Sequence, residues 1–173
     1  MKNVVLIGFM GTGKTSTGKA LAAKLGYAFL DIDQKIEEEQ GRSISEIFSA
    51  EGEDYFRRCE KEMVDRASKR KNTVIATGGG TVKNPENMAA LREGGIVVCL
   101  SANVDTVLER TRKKGVRPIL DGKDEGDRRL AVESLMEERK ELYRQADYTV
   151  DTSDMSPLQV VDDIVRHLKA RGR

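Results

Sequence analysis

Apolar residues fall along the chain in short blocks of two kinds, continuous runs and spaced stripes. Val4-Val5-Leu6-Ile7 is a continuous, largely β-branched run closed by Gly8. That pattern predicts a strand buried on both faces, as in a parallel sheet. Residues 15–25 follow, with Leu21, Ala22 and Leu25 on one helical face and Gly26 as a stop. Phe29-Leu30, before Asp31, predicts a second short strand. Residues 33–40 are helical in pattern and end at Gly41, and Ser43-Ile44-Ser45-Glu46 has the spacing of a capping box, so another helix starts there. Over residues 54–70 the apolar positions Tyr55, Phe56, Cys59, Met63 and Ala67 recur in steps of three and four, an amphipathic helix. Residues 73–77 predict a third strand, broken by Gly78-Gly79-Gly80. Asn84-Pro85 opens the next helix and Gly94-Gly95 closes it. Proline is tolerated at a first helical position because the N–H there has no partner within the helix. Residues 96–100 form a fourth buried run, and Asn103 caps the helix after it. Residues 127–145 predict a long charged helix, 148–150 a fifth strand, and Ser156-Pro157 with Gln159 a final helix.

Strands alternating with helices indicate an α/β fold with a mostly parallel sheet. No repeat, low-complexity tract or long linker divides the chain, so residues 1–173 are expected to form one domain. Periodicity is weakest over residues 112–128, which hold Lys113, Lys114, Gly115, Arg117, Pro118 and Gly122. A mobile, charged loop is expected there.

Composition narrows the chemistry. Thirty Lys and Arg against 29 Asp and Glu leave a net charge of +1, without the strongly basic character of a bulk nucleic-acid binder. One histidine, His167, and two cysteines, Cys59 and Cys99, provide neither a CxxC nor a His pair. A zinc site of the usual kind and a His-dependent nucleophile are therefore not expected. Unpaired thiols and the lack of a signal-peptide pattern point to the cytoplasm. No apolar run approaches the ~20 residues needed to cross a bilayer. A monomer is expected, because no helix offers an uninterrupted apolar outer stripe.

Gly8-Phe9-Met10-Gly11-Thr12-Gly13-Lys14-Thr15 fits GxxxxGK[ST] and stands between a buried strand and a helix. Glycines let backbone N–H groups approach phosphate oxygens, and the helix dipole adds about half a positive charge. Lys14 would reach the β- and γ-phosphates, and Thr15 would supply a hydroxyl to Mg²⁺. The third strand has no acid at its end, and neither NKxD nor DxxG occurs, so a switch GTPase or motor is disfavoured against a small phosphotransferase.

Asp31-Ile32-Asp33 offers two carboxylates on one face of an extended segment. One could hold Mg²⁺ through water and the other orient an acceptor hydroxyl. Alternatively, Asp33 merely caps the next helix. The triplet at residues 78–80 places three glycines at a strand's carboxyl end, where open α/β sheets bind ligands, or else forms a simple turn. Arg57, three residues before Glu60, could meet a carboxylate bidentately, although such pairs are commonly solvated. Arg117, in Val116-Arg117-Pro118, could be brought by its loop to a transferring phosphoryl group. Arg139 lies among Glu137, Glu138, Lys140 and Glu141 and carries little signal by pattern.

Together these segments resemble shikimate kinases over nearly the whole chain. The phosphate loop comes first. Phe29-Leu30-Asp31-Ile32-Asp33-Gln34-Lys35-Ile36-Glu37 resembles the family's FxDxDxxIE segment. Gly41-Arg42-Ser43-Ile44-Ser45-Glu46-Ile47-Phe48, Gly52-Glu53, Phe56-Arg57 and Glu60 match its GxSIxEIF…GE…FRxxE stretch. The glycine triplet, Val116-Arg117-Pro118 and Arg139 before Leu142-Tyr143 complete the set. The resemblance implies a three-layer P-loop kinase fold, a five-stranded parallel sheet in the order 2-3-1-4-5 with a mobile lid at about 111–128 and an acceptor-binding segment at about 31–62. It implies ATP-dependent phosphorylation of the shikimate 3-hydroxyl. Gly11, Thr12, Gly13, Lys14, Thr15, Ser16, Arg110 and Arg117 would bind ATP, with Arg110 against adenine. Asp33, Arg57, Gly78, Gly79, Gly80 and Arg139 would bind shikimate, with Phe48 and Phe56 as walls. Lys14, Asp33 and Arg117 would be catalytic, and Thr15 with Asp31 would hold Mg²⁺. The competing readings are another kinase of this fold, such as a gluconate-type enzyme, and a nucleotide-binding module without transfer.

Overall fold

The computed structural model describes residues 2–111 and 125–172. Arg117 and most of the expected lid therefore lie outside the described residues. The five strands are β1 (Asn3–Gly8), β2 (Ala28–Asp31), β3 (Thr73–Ala76), β4 (Gly95–Ser101) and β5 (Tyr148–Asp151). They form one parallel sheet in the order β2-β3-β1-β4-β5, with Val4 of β1 level with Val74 of β3 and Ile96 of β4. Eight helices accompany them among the described residues: α1 (Lys14–Leu25), α2 (Ile32–Gln40), α3 (Ile44–Glu51), α4 (Glu53–Ser68), α5 (Pro85–Gly94), α6 (Val104–Arg110), α7 (Glu125–Tyr143) and α8 (Pro157–Ala170).

Successive side chains of a strand point to opposite faces, so a continuous apolar run feeds two cores. Val5, Ile7, Ile75, Val97 and Cys99 pack against Phe56, Met63 and Val64 of α4 and Met88 and Leu91 of α5. Val4, Leu6, Val74, Val98 and Leu100 pack against Leu21 of α1 and Val160, Val161 and Ile164 of α8. Each such side chain contributes roughly 1.5–3 kcal/mol on full burial. A third cluster, with Phe9, Ala102, Val107, Leu108 and Val132, joins α6 and α7 to the loop after β1. The three layers leave the carboxyl ends of β1, β2 and β3 open, and Gly8, Asp31 and residues 77–80 gather there.

The expected caps form. Ser43 and Ser156 make capping boxes, while Asn84 and Asn103 accept hydrogen bonds from the N–H groups of Glu86 and Thr106. Two boundaries differ for physical reasons. Asp31, not Asp33, caps α2: its Oδ1 accepts the Gln34 N–H at 3.1 Å, and the helix starts at Ile32. Helix α7 starts at Glu125, so residues 125–128 of the expected loop are helical. Among the described residues, no helix is long and apolar enough to cross a membrane.

Candidate active site

The phosphate loop owes its shape to backbone constraints. Gly8, Gly11 and Gly13 hold φ of 148°, 77° and 86°. A Cβ on Gly8 would also collide with the Leu100 carbonyl oxygen, so only glycine lets β1 turn there. Thr12 is buried and donates its hydroxyl to the Phe9 carbonyl at 2.7 Å, locking the loop from inside. Lys14 opens α1, and its ammonium donates to the carbonyls of Gly8 and Phe9 at 2.6 and 2.9 Å. The ammonium is thereby folded over the loop. Thr15 donates its hydroxyl to Asp31 Oδ2 at 2.6 Å, and Ser16 is exposed on the next position. Arg110, from the end of α6, donates to the Gly11 carbonyl at 3.2 Å and to the Thr152 hydroxyl and carbonyl at 3.1 and 3.0 Å.

The candidate acceptor wall is assembled from distant segments. Each glycine of the triplet abuts a different charged side chain. A Cβ on Gly78 would stand 2.7 Å from Asp33 Oδ1, one on Gly79 3.4 Å from Arg139 Nη1, and one on Gly80 2.6 Å from Arg57 Nη2. The triplet is therefore a backbone floor against which three functional groups lie flat. Arg57 donates from Nη1 to Glu60 Oε1 at 2.9 Å and from Nη2 to Glu53 Oε1 at 3.4 Å. Glu60 is only 1% exposed, so this pair is unlike a solvated surface pair: the glutamate fixes the guanidinium from behind. Arg57 also stands 5.2 Å from the Phe56 ring centroid, and Phe48 and Phe56 pack 5.1 Å apart. Arg139, 2% exposed, donates to the Gly79 carbonyl at 3.0 Å and lies over the Phe9 ring.

A cleft of about 810 Å³ is lined by both sets of residues, from Gly11, Lys14 and Thr15 to Asp33, Arg57, the triplet and Arg139, with Arg110 at one side. His167 is not part of it; its ring stacks on Tyr148 with centroids 3.8 Å apart. Arg117 lies outside the described residues.

Electrostatics single out Asp33. Burial pushes its carboxyl up to about 7; the negative charges of Glu60 and Asp31 add to the rise, and Lys14 and Arg57 oppose it. Its Oδ1 is buried and has no hydrogen-bond partner among the described residues. A buried, unsatisfied carboxylate oxygen is costly, and it persists where a ligand supplies the missing donor. Asp31 and the Thr15 hydroxyl are hard oxygen donors beside the phosphate loop. No group of three or more His, Cys, Asp or Glu able to hold a metal occurs among the described residues. One carboxylate and one hydroxyl suit Mg²⁺, which takes its remaining ligands from water and phosphate.

Three supporting residues escaped the sequence reading. Thr152 anchors Arg110 from 42 positions away, and Thr81 joins Glu60 to Gly78. Tyr143 donates its hydroxyl to the Gly79 carbonyl at 3.2 Å, and burial raises its pKa to about 12. Only Tyr143 carried any signal, through the pattern that includes Arg139.

The shikimate kinase family model matches residues 10–169. The chain is 45% identical over its whole length to the shikimate kinase of Caldanaerobacter subterraneus subsp. tengcongensis, and covers 100% of that protein. It is 43% identical to the shikimate kinase of Persephonella marina, with 98% of this chain and 100% of the relative aligned. In three dimensions it is similar to the Acinetobacter baumannii shikimate kinase in complex with shikimate, with a TM-score of 0.93 at 36% identity over 99% of this chain and 94% of that one.

Proposed function

The chain belongs to the shikimate kinase family, and from that premise we propose that it transfers the γ-phosphoryl group of ATP to the 3-hydroxyl of shikimate, giving shikimate 3-phosphate and ADP. The product serves chorismate and aromatic amino-acid synthesis. One observation carries the assignment of roles: a single cleft joins the phosphate loop to Asp33, Arg57 and Arg139, each laid against its own glycine.

The triphosphate lies on the backbone N–H groups of Gly11, Thr12 and Gly13 and the start of α1, with Thr15 and Ser16 beneath it. Arg110 flanks the adenine. Lys14 exchanges the Gly8 and Phe9 carbonyls for phosphate oxygens, and Arg117 approaches the transferred group. Thr15 and Asp31, through water, would hold Mg²⁺. When bound, the ion neutralises charge on the β- and γ-oxygens. Arg57 and Arg139 receive the shikimate carboxylate, a pairing suited to a planar guanidinium. Phe48 and Phe56 wall the ring. Asp33 takes the hydrogen bond of the acceptor hydroxyl and accepts its proton as the oxygen attacks the γ-phosphorus and the bond to ADP breaks. A carboxyl near 7 is matched to that task at neutral pH.

No helix pattern offers an uninterrupted apolar outer stripe, which supports a monomer acting on small molecules, and the near-balanced charge supports neither nucleic acid nor a membrane as partner. The unpaired cysteines Cys59 and Cys99 support a reducing compartment such as the cytoplasm. Residues 1–173 are proposed as one domain, with an acceptor-binding segment at about 31–62 and a lid at about 111–128.

The test is an acceptor panel. With ATP and Mg²⁺, ADP release is measured over shikimate, quinate, gluconate and nucleoside monophosphates. Turnover with shikimate well above the others is expected. Activity confined to gluconate or a nucleotide would overturn the assignment, and no transfer to any acceptor would favour a binding module.

A further inference from the structure

Thr81, which carries no signal in the sequence, lies behind both halves of the acceptor wall. It is fully buried and opens the short 3-10 turn Thr81–Lys83 after the glycine triplet. Its hydroxyl accepts the Gly78 N–H at 3.0 Å and donates to Glu60 Oε2 at 3.0 Å. The other oxygen of Glu60 holds Arg57. Gly78 in turn is the floor against which the Asp33 carboxylate rests. The threonine backbone is itself pinned, its N–H donating to the Gly78 carbonyl at 3.3 Å and its carbonyl accepting from Asn87 Nδ2 at 3.1 Å.

We infer that Thr81 is a positioning residue for the acceptor, setting Arg57 through Glu60 and Asp33 through the Gly78 backbone. The inference rests on the function proposed above. A hydroxyl has one proton to give and lone pairs to accept with, and here both capacities are committed inside the protein. Removing it strands the Gly78 N–H and a carboxylate oxygen in a low-dielectric interior, where unpaired groups are most costly. Glu60 must then find another donor, and Arg57 moves with it. The hydrogen bonds of Thr12 to Phe9, of Lys14 to Gly8 and Phe9, and of Arg110 to Gly11 and Thr152 do not pass through Thr81, so the nucleotide side is spared.

The experiment compares Thr81→Ser, which keeps the hydroxyl, with Thr81→Val, which keeps the shape, by steady-state kinetics at saturating partner substrate. Thr81→Val is expected to raise KM for shikimate about tenfold or more, as for a lost charge-assisted bond, with KM for ATP within about twofold. Thr81→Ser should stay within about threefold of wild type for both. If Thr81→Val does not accumulate as folded protein, Thr81→Ala replaces it with the same expectation. Equal effects of valine and serine, or equal rises in both KM values, would overturn the inference. A silent Thr81→Val in an enzyme that phosphorylates shikimate removes only this role. A wild-type protein inactive on shikimate removes the underlying function instead.

Discussion

The phosphate cradle of the nucleotide wall draws on one unbroken stretch, residues 8–15, with Arg110 and Asp31 joining it from elsewhere, whereas the acceptor wall and its braces draw on Asp33, Arg57, Glu60, residues 78–81 and Arg139, from five places in the chain. The first is made chiefly of backbone. Its glycines adopt angles other residues resist, and Thr12 and Lys14 bond to its own carbonyls. The second is made of charged side chains pressed on a glycine floor and braced by the buried Glu60. A backbone cradle reads any polyphosphate tail. A wall of placed guanidiniums and carboxylates selects one acceptor, because an analogue lacking a partner group leaves buried charge unsatisfied. Damage to the first wall should therefore appear as lost phosphoryl transfer or lost folding, and damage to the second as lost acceptor affinity or, at Asp33, as lost activation of the acceptor hydroxyl.

Substitution of Lys14 by methionine should have the largest effect. A fall in kcat of about 10²–10³ or more is expected from removing one preorganised charge at the transferring group. Shikimate affinity, measured by titration, should change less than about threefold. Wild-type turnover in that variant would break the division between walls. Asp33→Asn should lower kcat by about 10²-fold, at the modest end for a general base, while ATP affinity holds. With the carboxyl at about 7, wild-type kcat/KM for shikimate should rise with pH up to about 7 and then level. The asparagine variant should lose that limb; a retained limb would assign it to another group.

A pair of glycines sharpens the contrast further. On Gly80 a methyl meets the far end of the flexible Arg57 side chain, whereas on Gly8 it meets the Leu100 backbone at a left-handed φ. Gly80→Ala should raise KM for shikimate several-fold with Tm nearly unchanged. Gly8→Ala should instead lower Tm by several degrees, an effect on the order of 1–3 kcal/mol for strained backbone. Reversal of those two outcomes would show that the walls are not built as described.

The smallest effect concerns stability. Asp33 has its folded pKa raised above the ordinary value of 3.8, so its contribution is fully present below about pH 4 and is lost as pH rises through about 7. Asp33→Asn should consequently flatten the Tm profile between those limits, and should be the more stable protein, relative to wild type, above pH 7. An unchanged profile would mean that the wild-type carboxyl titrates normally.

The same contrast explains what the sequence revealed. Residues 8–15 obey a local rule, as do the caps at Ser43, Asn84, Asn103 and Ser156, and each was legible because the interacting atoms lie within a few residues of one another. The cap of α2 was harder. Asp31 and Asp33 are chemically equivalent by composition, and only the structure shows that Asp31 spends one oxygen on Gln34 and the other on Thr15, leaving Asp33 to the cleft. Arg139 sat in a charged stretch with no periodic signal. Its partner, the Gly79 carbonyl, is 60 residues away, and no local rule reaches that far. Thr81 and Thr152 were invisible for the same reason: each is a common residue whose meaning comes from long-range closure. The resemblance to a known family pointed to Arg139 where spacing could not.

The position of the acceptor is decisive, and a crystal grown with shikimate and a non-hydrolysable ATP analogue reads it directly. The shikimate carboxylate should lie within hydrogen-bonding distance of Arg57 and Arg139, with the 3-hydroxyl between Asp33 Oδ1 and the γ-phosphate. Shikimate ordered elsewhere, or bound in this cleft with its carboxylate turned away from both arginines, would contradict the account.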